Sequence, residues 1–214
     1  MRPQSGLGIG VLVLGITGVL ITGLALGQSR AVADRNEQVR IRRMVGAGAR
    51  ILVETPKYQA TTSLAGGVKP TQRWGKITVY YDTTQEWTDE LTFQYFVMTR
   101  KTEGAKASFS LYTTTVRYMD VRRGANHESA VFLRPTAIER YGDVIAAAVE
   151  ISIGGKVVAE ETHIEGAPRM PERWWRQSAV IESKDVVARD GYLLDRSRSP
   201  FALINIDDYE AVKQ

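Results

Sequence analysis

Cysteine is absent from this chain of 214 residues, and histidine occurs only twice, as His127 and His163. The first absence excludes a disulfide framework, a thiolate nucleophile and any Cys-ligated metal. The second leaves little for general-base or metal chemistry. No G-x-S-x-G elbow is present, and Gly46-Ala-Gly48 lacks both the third glycine and the preceding strand of a dinucleotide fingerprint. His163 lies two residues from Glu161 on a candidate strand, half a metal site at most, because no third ligand is indicated. His127, in Ala-Asn-His-Glu, reads as a turn. Glu160 and Glu161 are adjacent on a strand and point to opposite faces, so they cannot serve as an acid/base pair. Asp207-Asp208-Tyr-Glu210 lacks the spacing of a calcium loop. These absences predict no enzyme, no cofactor and no bound metal.

Long apolar runs are equally scarce, with one exception. Leu7 to Leu26, LGIGVLVLGITGVLITGLAL, holds no charge and only two threonines among its polar residues. At about 1.5 Å of rise per residue it would make roughly 30 Å of helix, the thickness of a hydrocarbon core. Two readings stay open for 1–27: a membrane anchor, or a signal peptide cleaved after the small-x-small triplet Ala25-Leu-Gly27. Arg30, Arg35, Arg40, Arg42 and Arg43 follow the segment against Arg2 before it, which by the positive-inside rule argues for a cytoplasmic C-terminal part. The short leader and the β-rich remainder argue for export. We take the exported reading, with membrane contact through 7–26 and a cell-envelope, extracytoplasmic location.

Charge is nearly balanced, with 28 basic and 24 acidic residues. The basic residues are scattered, and no recognition motif stands beside them, so nucleic-acid binding is not expected. Residues 28–49 are rich in Ala, Arg, Glu and Gln and carry a patchy apolar stripe at Val32, Val39, Ile41 and Met44, which predicts a helical stalk ended by Gly46-Ala-Gly48. Residues 50–214 make the main domain. Within it 50–73, with Pro56, Gly66-Gly67 and Pro70, reads as loop, apart from a short strand at 50–53.

From Trp74 the period becomes two. Ile77, Val79 and Tyr81 alternate with Lys76, Thr78 and Asp82, and Leu91, Phe93, Tyr95 and Val97 with Thr92, Gln94 and the more apolar Phe96 and Met98. In 108–121 the apolar phase moves from Phe109 and Leu111 to Val116 and Tyr118, which predicts a bulge or a strand changing sheets. Ile145, Ala147, Val149, Ile151 and Ile153, then Gly154-Gly155 and 156–164, predict a tight hairpin with Ile151 opposite Val158. Further strands are expected over 179–188, 192–194 and 201–206, with Arg189-Asp-Gly191 as a turn. About nine short strands without a long helix predict a mainly β domain, an antiparallel β-sandwich rather than a closed barrel.

The run Phe132-Leu-Arg-Pro-Thr-Ala-Ile-Glu-Arg-Tyr141-Gly-Asp-Val, leading into a strand and the Gly-Gly hairpin, resembles the end of an immunoglobulin-like domain, with Tyr141 as a tyrosine corner. Together with Trp87-Thr-Asp-Glu-Leu-Thr-Phe-Gln-Tyr, the chain from Trp74 onward resembles secreted immunoglobulin-like proteins associated with bacterial type IV pilus-like assembly systems. That resemblance implies an immunoglobulin-like sandwich and a non-enzymatic protein that binds an envelope partner, with no catalytic residues to transfer. Arg173-Trp174-Trp175-Arg176 is the candidate partner-binding site, since Trp and Arg dominate interface hot spots. The alternative is that the tryptophans cover the open end of the sandwich. Two other functions stay open. One is a pilin-like filament subunit, whose leader would end at Gly6 but whose usual glutamate is replaced by Val11. The other is an enzyme acting on envelope polymers.

Overall fold

A computed structural model of the chain describes residues 37–56, 71–166, 170–204 and 209–213. All of them belong to one compact unit, 35–214. The apolar segment 7–26, both expected cleavage points, the part of the expected stalk before Glu37, the expected loop over 57–70 and the end of the expected strand at 205–206 lie outside the described residues. Among the described residues no helix is long and apolar enough to cross a membrane.

The domain is mainly β: among the described residues nine strands form one sheet, with antiparallel pairings except that of residues 109–111 with 186–188. β1 is Val39–Val45, β2 Leu52–Glu54, β3 Arg73–Glu103 and β4 Lys106–Leu133. After helix α1, Pro135–Tyr141, come β5, Asp143–Ile153, and β6, Lys156–Ile164. The short elements α2, Ser178–Ile181, β7, Val186–Ala188, β8, Leu193–Asp195, and β9, Ala211–Val212, complete the described chain.

The organising element is the β3–β4 hairpin, 31 residues paired with 28. Several short strands expected between Trp74 and Leu133 are therefore two long ones. The hairpin folds over at a double irregularity. Between the pairs Tyr81–His127, Thr83–Gly124 and Trp87–Arg122 the two strands advance unequally, so the ladder kinks there. Asp120 and Asn126 supply positive φ of 53° and 61° on β4. The bend brings the inner faces of the two halves together. The rings of Tyr81 and Phe93 lie 5.0 Å apart, and Tyr95 Oη donates to Ser129 Oγ at 2.7 Å from the other half. Ile77, Val79, Leu91, Val97, Val149 and Ile151 fill the space between, all fully buried. β1 and β2 extend the sheet beside the first half of β3, and β5 with β6 beside the second.

The expected helical stalk does not reach residue 49. Val39–Val45 is strand, its Val39 and Met44 buried while Arg40, Arg42 and Arg43 face outward. Backbone pairing with Thr78–Thr83 overrides the helical propensity of this Arg-rich stretch. The Gly154-Gly155 hairpin forms with φ of 56° and 80°, as a two-residue turn of this hand requires. A bulge at Ile151–Ser152 moves its register, so Ile151 faces Ala159 in place of Val158. The strand expected over 179–188 is a turn of helix followed by the three residues of β7. Phe201–Ile204 is turn, with Phe201 stacked on Phe132 at 4.4 Å.

The phase change in β4 is neither a bulge nor a strand crossing between sheets at that point, since β3 and β4 stay in unbroken register from Leu91–Tyr118 to Glu103–Lys106. Near the hairpin tip both faces are covered. Tyr112, Val116 and Tyr118 face the main core, whereas Leu111, with Met98, Ile145 and Ala148, faces a second apolar layer. Tyr141 closes α1 and meets the ring of Tyr192 edge-on at 5.8 Å, with Arg189 stacked on it at 3.6 Å.

Candidate interaction surface

The second apolar layer is built by the residues expected to bind a partner. Trp174 and Trp175 are 0% and 4% exposed, packed on Met98, Leu111, Ile145, Ala146 and Ala148. Their indole N–H groups are satisfied: Trp174 Nε1 donates to Thr162 Oγ1 at 3.2 Å, and Trp175 Nε1 donates to Glu150 Oε1 at 2.6 Å. Glu150 and Glu160 stand opposite each other on β5 and β6, a repulsive placement. Arg176 bridges them, at 2.5 Å to Glu150 and 2.8 Å to Glu160, and Arg173 pairs with Glu160 at 2.5 Å. Hydrogen bonding to Glu150 holds the Arg176 guanidinium above its ordinary pKa. The tryptophans therefore cover a face of the sheet and are not exposed as a contact surface. Of the four residues 173–176, the two arginines are the exposed ones.

Both histidines are structural in placement. His163 Nδ1 accepts from the Gly46 N–H at 2.9 Å, tying the end of β1 to β6, while Glu161 accepts from the Thr162 N–H. His127 lies within β4, not in a turn. Its Nδ1 is 2.8 Å from Glu210, its Nε2 is 3.3 Å from Thr83 Oγ1, and its ring stacks on Tyr81 at 5.2 Å. Burial pushes the Tyr81 hydroxyl well above its ordinary pKa, and that hydroxyl finds no hydrogen-bond partner. Among the described residues no group of three or more His, Asp or Glu could hold a metal ion.

The bend itself presents the surface that the sequence reading missed. Trp87, 55% exposed, stands at the outer corner of the folded hairpin. The Arg122 guanidinium lies 5.8 Å from its ring centroid, and Arg123, Glu86 and Asp89 are exposed around it. Beneath the corner Thr83, 4% exposed, holds the kink. Its hydroxyl donates to the Arg122 carbonyl at 2.8 Å and accepts from the Gly124 N–H at 3.0 Å. Beside it Asp82 accepts from the Asn126 N–H at 3.0 Å and pairs with Arg42.

Partial burial of the Asp82 carboxyl works against its charge, but the Asn126 N–H and Arg42 outweigh that, and its pKa falls below the ordinary carboxylate value. A depressed folded-state pKa contributes stability above the unfolded value, about pH 4, that is lost as pH falls through the folded one. Denaturant midpoints should therefore drop in acid more steeply for the native chain than for Asp82→Asn. Equal slopes would remove Asp82 from the bend's support.

Such a corner is a rigid mount for an exposed aromatic flanked by arginine. Residues 47–214 match the model of one protein family. The chain belongs to that family. A crystal structure of a protein from Akkermansia muciniphila is similar to this one over 83% of this chain and 94% of its own, with a TM-score of 0.66 and 21% sequence identity. At that identity the likeness establishes a shared fold. No curated protein matches the chain.

Proposed function

We propose that the chain is a non-enzymatic, extracytoplasmic envelope protein that binds a protein partner, a component of a type IV pilus-like or secretion assembly. In this reading its two β layers are an immunoglobulin-like sandwich, and segment 7–26 supplies export or membrane contact. The observation that carries the binding role is Trp87: a large aromatic left exposed, with Arg122 over its ring, on a kink fixed by Thr83 and Asp82. Interface hot spots are enriched in Trp and Arg held on rigid supports. The mixed charges around Trp87 suit a protein surface better than a uniformly charged polymer.

The test is cross-linking and co-purification from envelope fractions, comparing the native chain with Trp87→Ala. Truncating a hot-spot Trp costs about 2–4 kcal/mol of binding, roughly 30-fold or more in affinity. Because Trp87 is mostly exposed, the melting temperature should stay within a degree or two of native, about the effect of an ordinary surface substitution. Undiminished capture of the same partner by Trp87→Ala would sink this reading. Recovery of the chain in the cytosol with intact mass would sink the extracytoplasmic one.

A further inference from the structure

The outer edge of β4 is paired in three places. β7 runs beside Phe109–Leu111, β9 beside Tyr118–Met119, and β8 beside Val131–Leu133. Between the first two, among the described residues, no strand pairs with 112–117 on that side. The direction of the backbone groups is fixed by its neighbours. The Leu111 carbonyl accepts from the Arg189 N–H at 2.9 Å, and the Arg117 carbonyl accepts from the Lys213 N–H at 2.8 Å. Both face this edge, and residues two apart in a strand turn their amide groups the same way. The β3–β4 register is unbroken here, so Thr113 and Thr115 present N–H and C=O outward; both residues are exposed.

The Thr115–Arg117 end of this edge, unpaired among the described residues, forms one wall of a cleft of about 570 Å³. Arg117 from β4, Arg198 from the turn after β8 and Lys213 after β9 line it, three cations from three elements against one carboxylate, Asp195. Arg198 is ion-paired through its Nε with Asp195 at 2.6 Å, and Ser197 donates to the same carboxylate at 2.5 Å, so the excess positive charge of the cleft rests on Arg117 and Lys213. Lys213 reaches Glu90 outside the cleft at 2.7 Å. The slot between β7 and β9 admits a strand of about five residues, roughly 17 Å. An unpaired strand edge is a ready template for a further strand, and bounding it on both sides limits what can add.

We infer that this slot takes a short extended segment of the partner protein as an added strand, laddered on Thr113 and Thr115, with its carboxylates on Arg117, Arg198 and Lys213. Main-chain bonds supply the hold and the cationic wall selects acidic segments. The inference rests on the partner-binding reading and names where and what the partner contributes.

The probe is a blocked hexapeptide of alternating valine and threonine with aspartate at both ends, titrated into the full chain in detergent. Calorimetry reads affinity, and hydrogen exchange reads the amides of Thr113 and Thr115. Saturable binding and slowed exchange at those two amides are expected. Thr115→Pro removes the outward donor where an edge strand tolerates proline, and should abolish binding with the melting curve intact. The pair Arg117→Glu and Arg198→Glu should weaken binding about tenfold or more and shift preference to the same peptide ended in lysine. Absence of binding at millimolar peptide, equal affinity for the lysine-ended peptide, or native affinity in both variants would overturn the inference. If Thr115→Pro perturbs folding, the charge reversals alone decide. Capture of the envelope partner that is lost in Trp87→Ala yet untouched by Thr115→Pro would refute the slot while leaving the binder.

Discussion

Alanine at both Trp174 and Trp175 is expected to unfold the domain, or to leave it so marginal that no cooperative transition survives at physiological temperature. Each truncation of a buried tryptophan costs about 3–5 kcal/mol through lost burial and the cavity left behind. The whole stability of a domain is about 5–15 kcal/mol. The two rings touch, at 6.0 Å and 83°, so the losses will not add fully. The damage nevertheless spreads beyond the rings. Glu150 Oε1 loses the Trp175 donor, Thr162 loses the Trp174 donor, and the outer face of Met98, Ile145 and Ala148 opens to water. Loss of the near-ultraviolet circular dichroism of these rings should accompany the fall in melting temperature. A double variant that melts like the native chain would return both tryptophans to the surface and restore them as the contact site.

The sequence leaves the tryptophan pair open between contact surface and apolar cover, for a physical reason. Two tryptophans between arginines read the same whether the arginines flank a contact or clasp Glu150 and Glu160, because the partners of Arg173 and Arg176 lie on other strands. A signal for the buried reading was nevertheless present. Phe96, Met98, Phe109 and Leu111 are apolar on the face that alternation assigns to solvent, so something apolar had to cover them. Trp174, Trp175 and Val180 supply that cover. Conversely nothing in the residues around Trp87 marks it as exposed, and only the kink between Thr83 and Trp87 shows that it faces water.

The fold divides along the same line. Where two strands are joined locally, as at Gly154-Gly155, or follow a marked turn, as β8 follows Arg189-Asp-Gly191, residue pattern alone places them. Where pairing is with distant residues it does not. Val39–Val45 looks helical by composition and becomes a strand because Thr78–Thr83 lie beside it. The polar run Thr83 to Glu86 looks like a turn that ends a strand, yet β3 passes through it as a pair of bulges. The candidate slot at Thr113 and Thr115 was illegible for a related reason: a missing neighbour has no sequence of its own.

The second large effect is expected from one methyl group. Gly142 follows α1 with φ 87° and ψ −167°, a backbone region essentially restricted to glycine, and it donates its N–H to the Ile138 carbonyl at 3.0 Å. A Cβ built there would lie 2.1 Å from the Arg100 carbonyl oxygen and 2.9 Å from the Lys101 Cα. Both obstacles are backbone within β3, so no side chain can swing aside. Gly142→Ala must either move α1 off the end of β3 or shift the start of β5, where Asp143 pairs with Arg100 and Val144 with Thr99. Backbone strain of about 1–3 kcal/mol adds to that displacement, and a total of about 3 kcal/mol or more places the variant among the severe ones. Gly154→Ala is the matched comparison: its φ of 56° is also positive, but a Cβ there meets nothing within 4 Å, so only the conformational term remains, about 1 kcal/mol. Denaturant unfolding of the two variants separates close backbone approach from positive φ. Equal losses would mean that the α1–β5 corner yields freely, and that Arg100 and Gly142 need not meet as closely as they do.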